Sequence, residues 1–223
     1  MVESVEESGE LGNVLSILRK RGLRVPEKAT NQLVRYVMLL REGNRLTQLV
    51  SRNDNARLIS THIAECFAPM CVFQVNECEK ILDFGSGGGL PGVPWAILFP
   101  KKQFVLLESK KKKAAFLTHV KAQLDLDNVA VLPCHSDEIN ASHNHAYEIV
   151  IARAVARLSK LWKSCGRLLK NNGVLLAMKG GDLAPETAEL LNLFPRLKVD
   201  IQTYPEELVP VDKNRRLVVV HEP

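Results

Sequence analysis

The chain has 223 residues, of which 46% are hydrophobic and 25% are charged. This length corresponds to one full domain with a small appendage, and the composition excludes a disordered, collagen-like or coiled-coil chain. The net charge of +5 is compatible with an anionic partner but does not by itself identify one.

Membrane, secreted and metal-binding classes are not favoured either. No apolar run approaches the ~20 residues that a membrane-spanning helix needs, and the acidic first ten residues do not resemble a secretory signal peptide. The five cysteines form no Cys-x-x-Cys pair, so we expect reduced thiols. The histidines and cysteines near Cys134 lack the spacing of a zinc site. We therefore expect a cytoplasmic protein without a metal.

The first part of the chain is predicted to be helical. Apolar residues recur at intervals of three or four from residue 11 to about residue 70. Pro26 is suited to begin a second helix, and Asp54 is the predicted N-cap of a third. We therefore predict a helical N-terminal cap over residues 1–75.

After Cys78, short runs of β-forming residues alternate with helical segments. The predicted strands are 81–84, 104–107, 129–132, 148–152, 174–178, 199–203 and 217–220. The predicted helices are 91–98, 111–124, 158–169 and 185–193. This alternation is typical of parallel βαβ units, so residues 76–223 are predicted to form an α/β domain with a doubly wound, mainly parallel sheet.

A glycine-rich turn follows the first predicted strand. Residues 81–92 have the sequence Ile-Leu-Asp-Phe-Gly-Ser-Gly-Gly-Gly-Leu-Pro-Gly, and doubly wound folds bind cofactors at the carboxyl ends of such strands. Two registers compete. Gly-x-Gly-x-x-Gly from Gly87 onward matches the NAD fingerprint, whereas the acid-then-glycine pattern that begins at Asp83 is that of S-adenosylmethionine (SAM) enzymes.

The SAM register is favoured on physical grounds. A pyrophosphate needs N–H donors at a helix N-terminus, but Asp83 introduces a carboxylate there, and Pro91 and Pro94 each remove a donor. SAM has no phosphate, and its sulfonium and ammonium groups favour a nearby acid. An NAD-linked oxidoreductase stays as an alternative.

Polar residues follow three further strands. Glu108 ends the second strand, where both NAD and SAM folds place an acid that accepts hydrogen bonds from ribose hydroxyls. Asp137 follows the third strand and is the candidate acceptor for the adenine amine. Arg153 ends the fourth strand, in the crevice, and is the candidate catalytic residue.

Basic residues are predicted on the same rim. Four lysines begin the helix after Glu108, although their charges oppose the helix dipole. One further cation follows the fifth strand, and two precede the last strand. We expect these side chains to hold an RNA backbone: Lys110, Lys111, Lys112, Lys113, Lys179, Arg215 and Arg216.

These motifs together resemble those of the RsmG/GidB family, whose members methylate guanine N7 in small-subunit (16S) ribosomal RNA. The likeness rests on residues 82–94, 107–109, 112–117, 152–156 and 179–180 and extends from about residue 40 to residue 220. It implies a Rossmann-like class I SAM-dependent methyltransferase fold. It also implies SAM contacts at Gly85, Leu90, Glu108, Ser109, Ser136, Asp137 and Arg153, to which the motif adds Asp83, Ser86 and Gly87.

The chain departs from the family pattern at several positions. Arg45 stands where the family has Asn, Glu65 and Cys66 replace Asp and Ser, His135 replaces Arg, and Asp137 replaces Glu. The glycine-rich motif itself matches.

The predicted function is methyl transfer from SAM to a guanine N7 in small-subunit ribosomal RNA, either naked or in a 30S-type particle, by a protein for which a monomer is favoured. N7 has a lone pair and no proton to lose, which agrees with the lack of an obvious general base. A non-catalytic RNA-binding protein is the second alternative.

Overall fold

The computed structural model describes residues 2–50, 58–75, 78–210 and 214–223. The predicted cap residue Asp54 lies outside these ranges. Among the described residues, no helix combines the length and the apolar character that crossing a bilayer requires.

The N-terminal part is helical, as predicted. Its elements are α1 (Val2–Lys20), α2 (Ala29–Leu46), a π-helical turn (Ile59–Ile63) and α3 (Ala64–Val72). Helix α1 begins well before residue 11, where the apolar spacing in the sequence starts. The π-helical turn was not predicted.

A seven-stranded sheet with four further helices forms the rest of the chain. The strands are β1 (Lys80–Phe84), β2 (Gln103–Leu107), β3 (Val129–Leu132), β4 (Tyr147–Arg153), β5 (Leu169–Gly180), β6 (Lys198–Thr203) and β7 (Arg215–His221). The helices are α4 (Gly92–Leu98), α5 (Lys111–Gln123), α6 (Leu158–Cys165) and α7 (Ala184–Leu193). Every predicted strand and helix of this region is present. The ends differ most near residue 169, because the helix predicted over 158–169 ends at Cys165 and β5 begins at Leu169, five residues before the predicted start at 174.

The strand order is β3-β2-β1-β4-β5-β7-β6. The first five strands of this order run parallel, whereas β7 is antiparallel to both β5 and β6. The predicted doubly wound, mainly parallel sheet is therefore confirmed. The chain reverses direction of winding at β1, and the crevice above the carboxyl ends of β1 and β4 is where ligands bind in such sheets.

Two apolar clusters cover the two faces of the sheet. The first joins α1, α2, α3, α4 and α5 to alternate strand residues such as Ile81 and Ile151. The second joins α6 and α7 to the intervening residues, such as Leu82 and Val150. The N-terminal helices thus share one core with the sheet, and the predicted division at residues 75 and 76 stays a prediction.

Candidate active site

The loop after β1 takes conformations that favour glycine. Gly85, Gly87 and Gly89 have φ angles of 76°, 59° and 96°, in the left-handed region that side chains with a Cβ avoid. The backbone N–H groups of Gly85 and Ser86 both donate to the carbonyl of Leu107 at 2.9 Å. The loop is therefore tied to the end of the neighbouring strand β2.

The glycines of this loop serve two purposes. A methyl group on Gly88, Gly89 or Gly92 would come within 3.0 Å of neighbouring side chains, so these three positions are small because the core packs against them. A methyl group on Gly87 would meet only the carbonyl of Gly85, at 4.0 Å. A methyl group on Gly85 would approach Val155 to 3.0 Å, but the residue itself is exposed. A ligand can therefore approach the backbone at the Gly85–Gly87 edge of the loop, where Gly87 has the most room.

Asp83 supports the loop from below. Its side chain is 1% exposed, Oδ2 accepts a hydrogen bond from the Gly92 N–H at 3.0 Å, and Oδ1 has no hydrogen-bond partner among the described residues. Burial raises the pKa of Asp83 to about 7. The carboxylate faces the interior of the loop, and its predicted contact with the amino-acid end of SAM stays a prediction.

Glu108 lies at the end of β2 beside the open edge of the loop. It is 7% exposed, and its two carboxylate oxygens accept hydrogen bonds from the N–H groups of Gly87, at 2.9 Å, and Lys110, at 2.8 Å. Each oxygen keeps a further lone pair. The residue is thus oriented by the backbone and can still accept from a pair of vicinal hydroxyls, as the ribose role requires.

Helix α2 contributes a contact that the sequence did not reveal. The buried Tyr36 donates its hydroxyl hydrogen to the carbonyl of Gly88 at 2.8 Å, and burial raises the pKa of this phenol well above its ordinary value, so the hydroxyl keeps its proton. Asn44 accepts from the N–H groups of Leu49 and Val50 and so holds Leu49 against Gly88. From the sequence alone, Tyr36 is recognisable only as part of a helix and Asn44 only as a residue near the end of that helix.

Arg153 lies at the end of β4, where its side chain meets α3 and the π-helical turn. Its NH1 is 3.2 Å from His62 Nδ1 and 3.7 Å from Glu65 Oε2. The other oxygen of Glu65 is 3.4 Å from Arg215 Nε. Glu65, which the sequence marked only as a departure from the family, is therefore a buried carboxylate shared by two arginines on different strands.

The chain turns sharply just after Arg153. Ala154 has a φ of 55°, a left-handed conformation that costs energy for a residue with a Cβ. The turn places Val155 over the loop, with its Cγ2 3.0 Å from where a methyl group on Gly85 would lie. The loops after β1 and β4 thus meet at the crevice.

The other predicted cofactor residues occupy varied positions. Ser86 is buried and donates its hydroxyl hydrogen to the carbonyl of Asp83 at 2.9 Å, and Leu90 is 4% exposed within the core. Ser109 is half-buried and follows Glu108 directly, while Ser136 and the exposed Asp137 form a 3-10 turn after β3. All follow carboxyl ends of strands, as predicted, but Ser86 and Leu90 face inward.

The predicted basic rim is present in part. Lys110, Lys111 and Lys112 are exposed at the start of α5, Lys113 is half-buried, and Arg215 and Arg216 begin β7. Lys179 differs, because its side chain is only 13% exposed and its ammonium pairs with Glu186 Oε1 at 3.0 Å and with the carbonyl of Ala156. Because the side chain is nearly buried and Glu186 neutralises its charge, Lys179 does not belong to the exposed basic surface.

The sequence is similar to those of known proteins. A family model described as rRNA small subunit methyltransferase G matches residues 29–219. The chain is 38% identical to Ribosomal RNA small subunit methyltransferase G of Chlorobaculum tepidum, over 78% of each chain. It is 33% identical to the protein of the same name from Cellvibrio japonicus, over 94% of this chain and 98% of that one. The chain belongs to this family.

Membership of the RsmG/GidB family confirms two predictions, that the chain is a methyltransferase of small-subunit ribosomal RNA and that SAM is its cofactor. It sets aside the NAD-linked oxidoreductase and the non-catalytic RNA-binding protein. In the described part of this RsmG/GidB chain, no group of three or more His, Cys, Asp or Glu side chains is placed to hold a metal ion.

Solved structures confirm the fold class. The ribosomal protein L11 methylase from Lactobacillus delbrueckii subsp. bulgaricus superposes with a TM-score of 0.54 at 10% identity, over 72% of this chain and 78% of that one. TYW2 of M. jannaschii in complex with AdoMet gives 0.53 at 18% identity, over 79% and 77%. At such low identity the likeness establishes the shared Rossmann-like methyltransferase fold.

Proposed function

We propose that this chain transfers the methyl group of SAM to N7 of a guanine in small-subunit (16S) ribosomal RNA. One observation carries the proposal beyond family membership. The open Gly85–Gly87 edge, the buried carboxylate of Glu108 and the guanidinium of Arg153 follow three strands of the central sheet, β1, β2 and β4, which are neighbours in it.

The residues of the crevice suit SAM. Glu108 accepts hydrogen bonds from the ribose hydroxyls, and its carboxylate is already oriented by two backbone N–H groups. Asp137, exposed on the loop after β3, accepts from the adenine amine. The exposed backbone of Gly85 and the unobstructed side of Gly87 would hold the cofactor against the loop. Asp83 holds the loop through Gly92.

The chemistry requires little beyond positioning. SAM, when bound, supplies an electrophilic methyl group on its sulfonium. Because the guanine N7 lone pair is available without proton removal, the protein has to hold the base in line about 3 Å from that methyl group and to exclude water. Arg153 is suited to contact O6 of the guanine. Glu65 keeps Arg153 oriented through their ion pair.

The RNA reaches the crevice across the start of α5. The exposed side chains of Lys110, Lys111 and Lys112, with Arg215 and Arg216 on β7, contact the backbone phosphates. The target guanine has to leave its stack to enter the crevice. We propose that the enzyme acts as a monomer in the cytoplasm.

Incubation of the protein with tritiated SAM and small subunits from cells that lack the enzyme tests this function. Nucleoside analysis of the 16S RNA should then show labelled N7-methylguanosine. Label at another guanine atom or another base would refute the N7 assignment, and a failure to label the RNA would refute the activity. Arg153→Lys keeps the charge but loses the planar fork of donors, and we expect it to slow the transfer.

A further inference from the structure

A second basic surface lies at the end of the sheet opposite the crevice. It is a groove of about 1220 Å³ between the α1–α2 connection, the end of α3 and the α4–β2 connection. Lys101 and Lys102 lead into β2, and Val75 lies shortly before β1. Because these strands are parallel, the groove lies at their amino ends, away from the SAM loop. We call it the amino-end groove.

The amino-end groove is strongly cationic. Five cations line it, Arg21, Arg24, Lys28, Lys101 and Lys102, against the single carboxylate of Glu27. Arg21 is held by Glu207, and the ammonium of Lys102 reaches the carbonyl of Cys78. Arg24, Lys28 and Lys101 are exposed and form no ion pair within the described part of the chain. Three charges are therefore available to an anionic partner.

The floor of the groove is apolar. Met70, Val72, Leu98 and two half-buried phenylalanines, Phe73 and Phe99, line it. The ammonium of Lys102 lies over the Phe99 ring, 5.5 Å from its centroid, which leaves Phe73 as the ring without a cation over it in the described part of the chain. Cations around an aromatic floor are the combination that binds single-stranded nucleic acid, because phosphates pair with the cations and unpaired bases stack on the rings. An acidic protein segment would satisfy the cations but has no need of the aromatic floor.

One surface connects this groove with the active site. Helices α2 and α5 pack antiparallel, since Gln32 bonds to the carbonyl of Leu124, Arg35 bonds to Gln123, and Gly43 lies against Phe116. Lys28 precedes α2 at the groove, whereas the lysine run begins α5 at the crevice. The 18 residues of α2 span about 27 Å, which is about the length of eight nucleotide steps along one strand of a duplex.

We infer that the amino-end groove binds a looped, single-stranded segment of the same ribosomal RNA, with its phosphates on Arg24, Lys28 and Lys101 and a base against the phenylalanine floor. This inference rests on the proposed function, because it takes ribosomal RNA to be the substrate. The enzyme would thus bind the RNA at two points, one near each end of α2, and the target guanine would enter the crevice at the second point.

The salt dependence of RNA binding tests this inference. We compare wild-type protein with the variant Arg24→Glu, Lys28→Glu, Lys101→Glu by filter binding of naked 16S RNA at several salt concentrations. The loss of three phosphate contacts should lower the slope of log K against log salt by about 2 and weaken binding at least about tenfold near physiological salt. The affinity for SAM should not change, because the crevice lies at the other end of the sheet.

A matched variant controls for the change in charge. Lys160→Glu, Lys163→Glu, Arg196→Glu alters three exposed cations on the side of the sheet that α6 covers, and we expect it to affect RNA binding far less. A wild-type slope in the groove variant, or an equal loss in the control, would overturn the inference. A loss seen with assembled subunits but not with naked RNA would also overturn it, since the groove would then bind a protein.

A second measurement tests the base-binding floor. Ultraviolet irradiation of the wild-type complex should attach RNA to the peptide that contains Phe73 or Phe99, and adducts confined to the α5 lysines would contradict the inference. The proposed function fails by a different result. Wild-type protein that binds RNA through the groove but transfers no methyl group to N7 would refute the proposed reaction and leave the groove assignment standing.

Discussion

The hydrogen bond from Tyr36 to Gly88 offers a sharp test of how the SAM loop is held. Tyr36→Phe removes one oxygen atom and leaves the buried carbonyl of Gly88 without its donor. An unsatisfied buried acceptor costs about 1–3 kcal/mol. With a urea m-value of about 2 kcal/mol/M, the midpoint of unfolding should fall by about 0.5–1.5 M. The affinity for SAM should fall as well, because the loop loses a support.

The chain provides its own control for this substitution. Tyr204 is 4% exposed and belongs to the same apolar cluster, but its hydroxyl has no hydrogen-bond partner among the described residues. Tyr204→Phe removes the same oxygen without orphaning an acceptor, so we expect it to be neutral or stabilising. Urea unfolding of the two variants side by side decides the matter. Equal midpoints would refute the assignment of a structural role to the Tyr36 hydroxyl.

Three further tests, which use four substitutions, examine the loop and the ion pairs. Because burial raises the pKa of Asp83 to about 7, the folded protein retains a proton on this carboxyl that the unfolded chain releases near pH 4, so the contribution of Asp83 to stability falls as pH rises from 4 to 7. Asp83→Asn removes this contribution, so its urea midpoint should rise relative to that of the wild type over this range, and a constant difference between the two would contradict the assignment. Glu65→Gln should slow methyl transfer about tenfold and leave the affinity for SAM unchanged, because Arg153 and Arg215 lose the carboxylate that they share. A wild-type rate would show that this pairing is not needed for the reaction. Gly87→Ala places a Cβ on a residue of left-handed backbone conformation, and Gly181→Ala does the same away from the loop as a control. Each should cost about 1–2 kcal/mol of stability through backbone strain. Titration calorimetry should show weaker SAM binding only for Gly87→Ala.

Hydrophobic periodicity predicted the helices and strands because it records which side chains are buried. The runs at 81–84 and 104–107 became β1 and β2 almost unchanged, since both faces of these strands are covered. The π-helical turn at Ile59–Ile63 escaped prediction, because its apolar spacing does not differ enough from that of an α-helix. The antiparallel direction of β7 was also unpredicted, since strand direction depends on the connection and not on the strand's own residues.

The sequence predicted those active-site residues whose position depends only on where a strand ends. Gly85, Glu108 and Arg153 were found because each follows a strand that the sequence made recognisable. The contacts of Tyr36 and Glu65 were not predicted, because they join α2 and α3 to strands far along the chain, and a single sequence does not record which side chains meet. Lys179 shows the converse, since an exposed cation and one neutralised by Glu186 look alike in a sequence.

The position of β7 has a consequence for the order in which the chain folds. In the described sheet β6 pairs only with β7, and β7 lies between β5 and β6, although it is the last of the seven strands to be synthesised. Until it emerges from the ribosome, β5 has an open edge and β6 has no partner. An incomplete chain that stops before Arg215 would therefore present two unpaired strands, which are templates for aggregation. We expect such nascent chains to need protection that the finished enzyme does not.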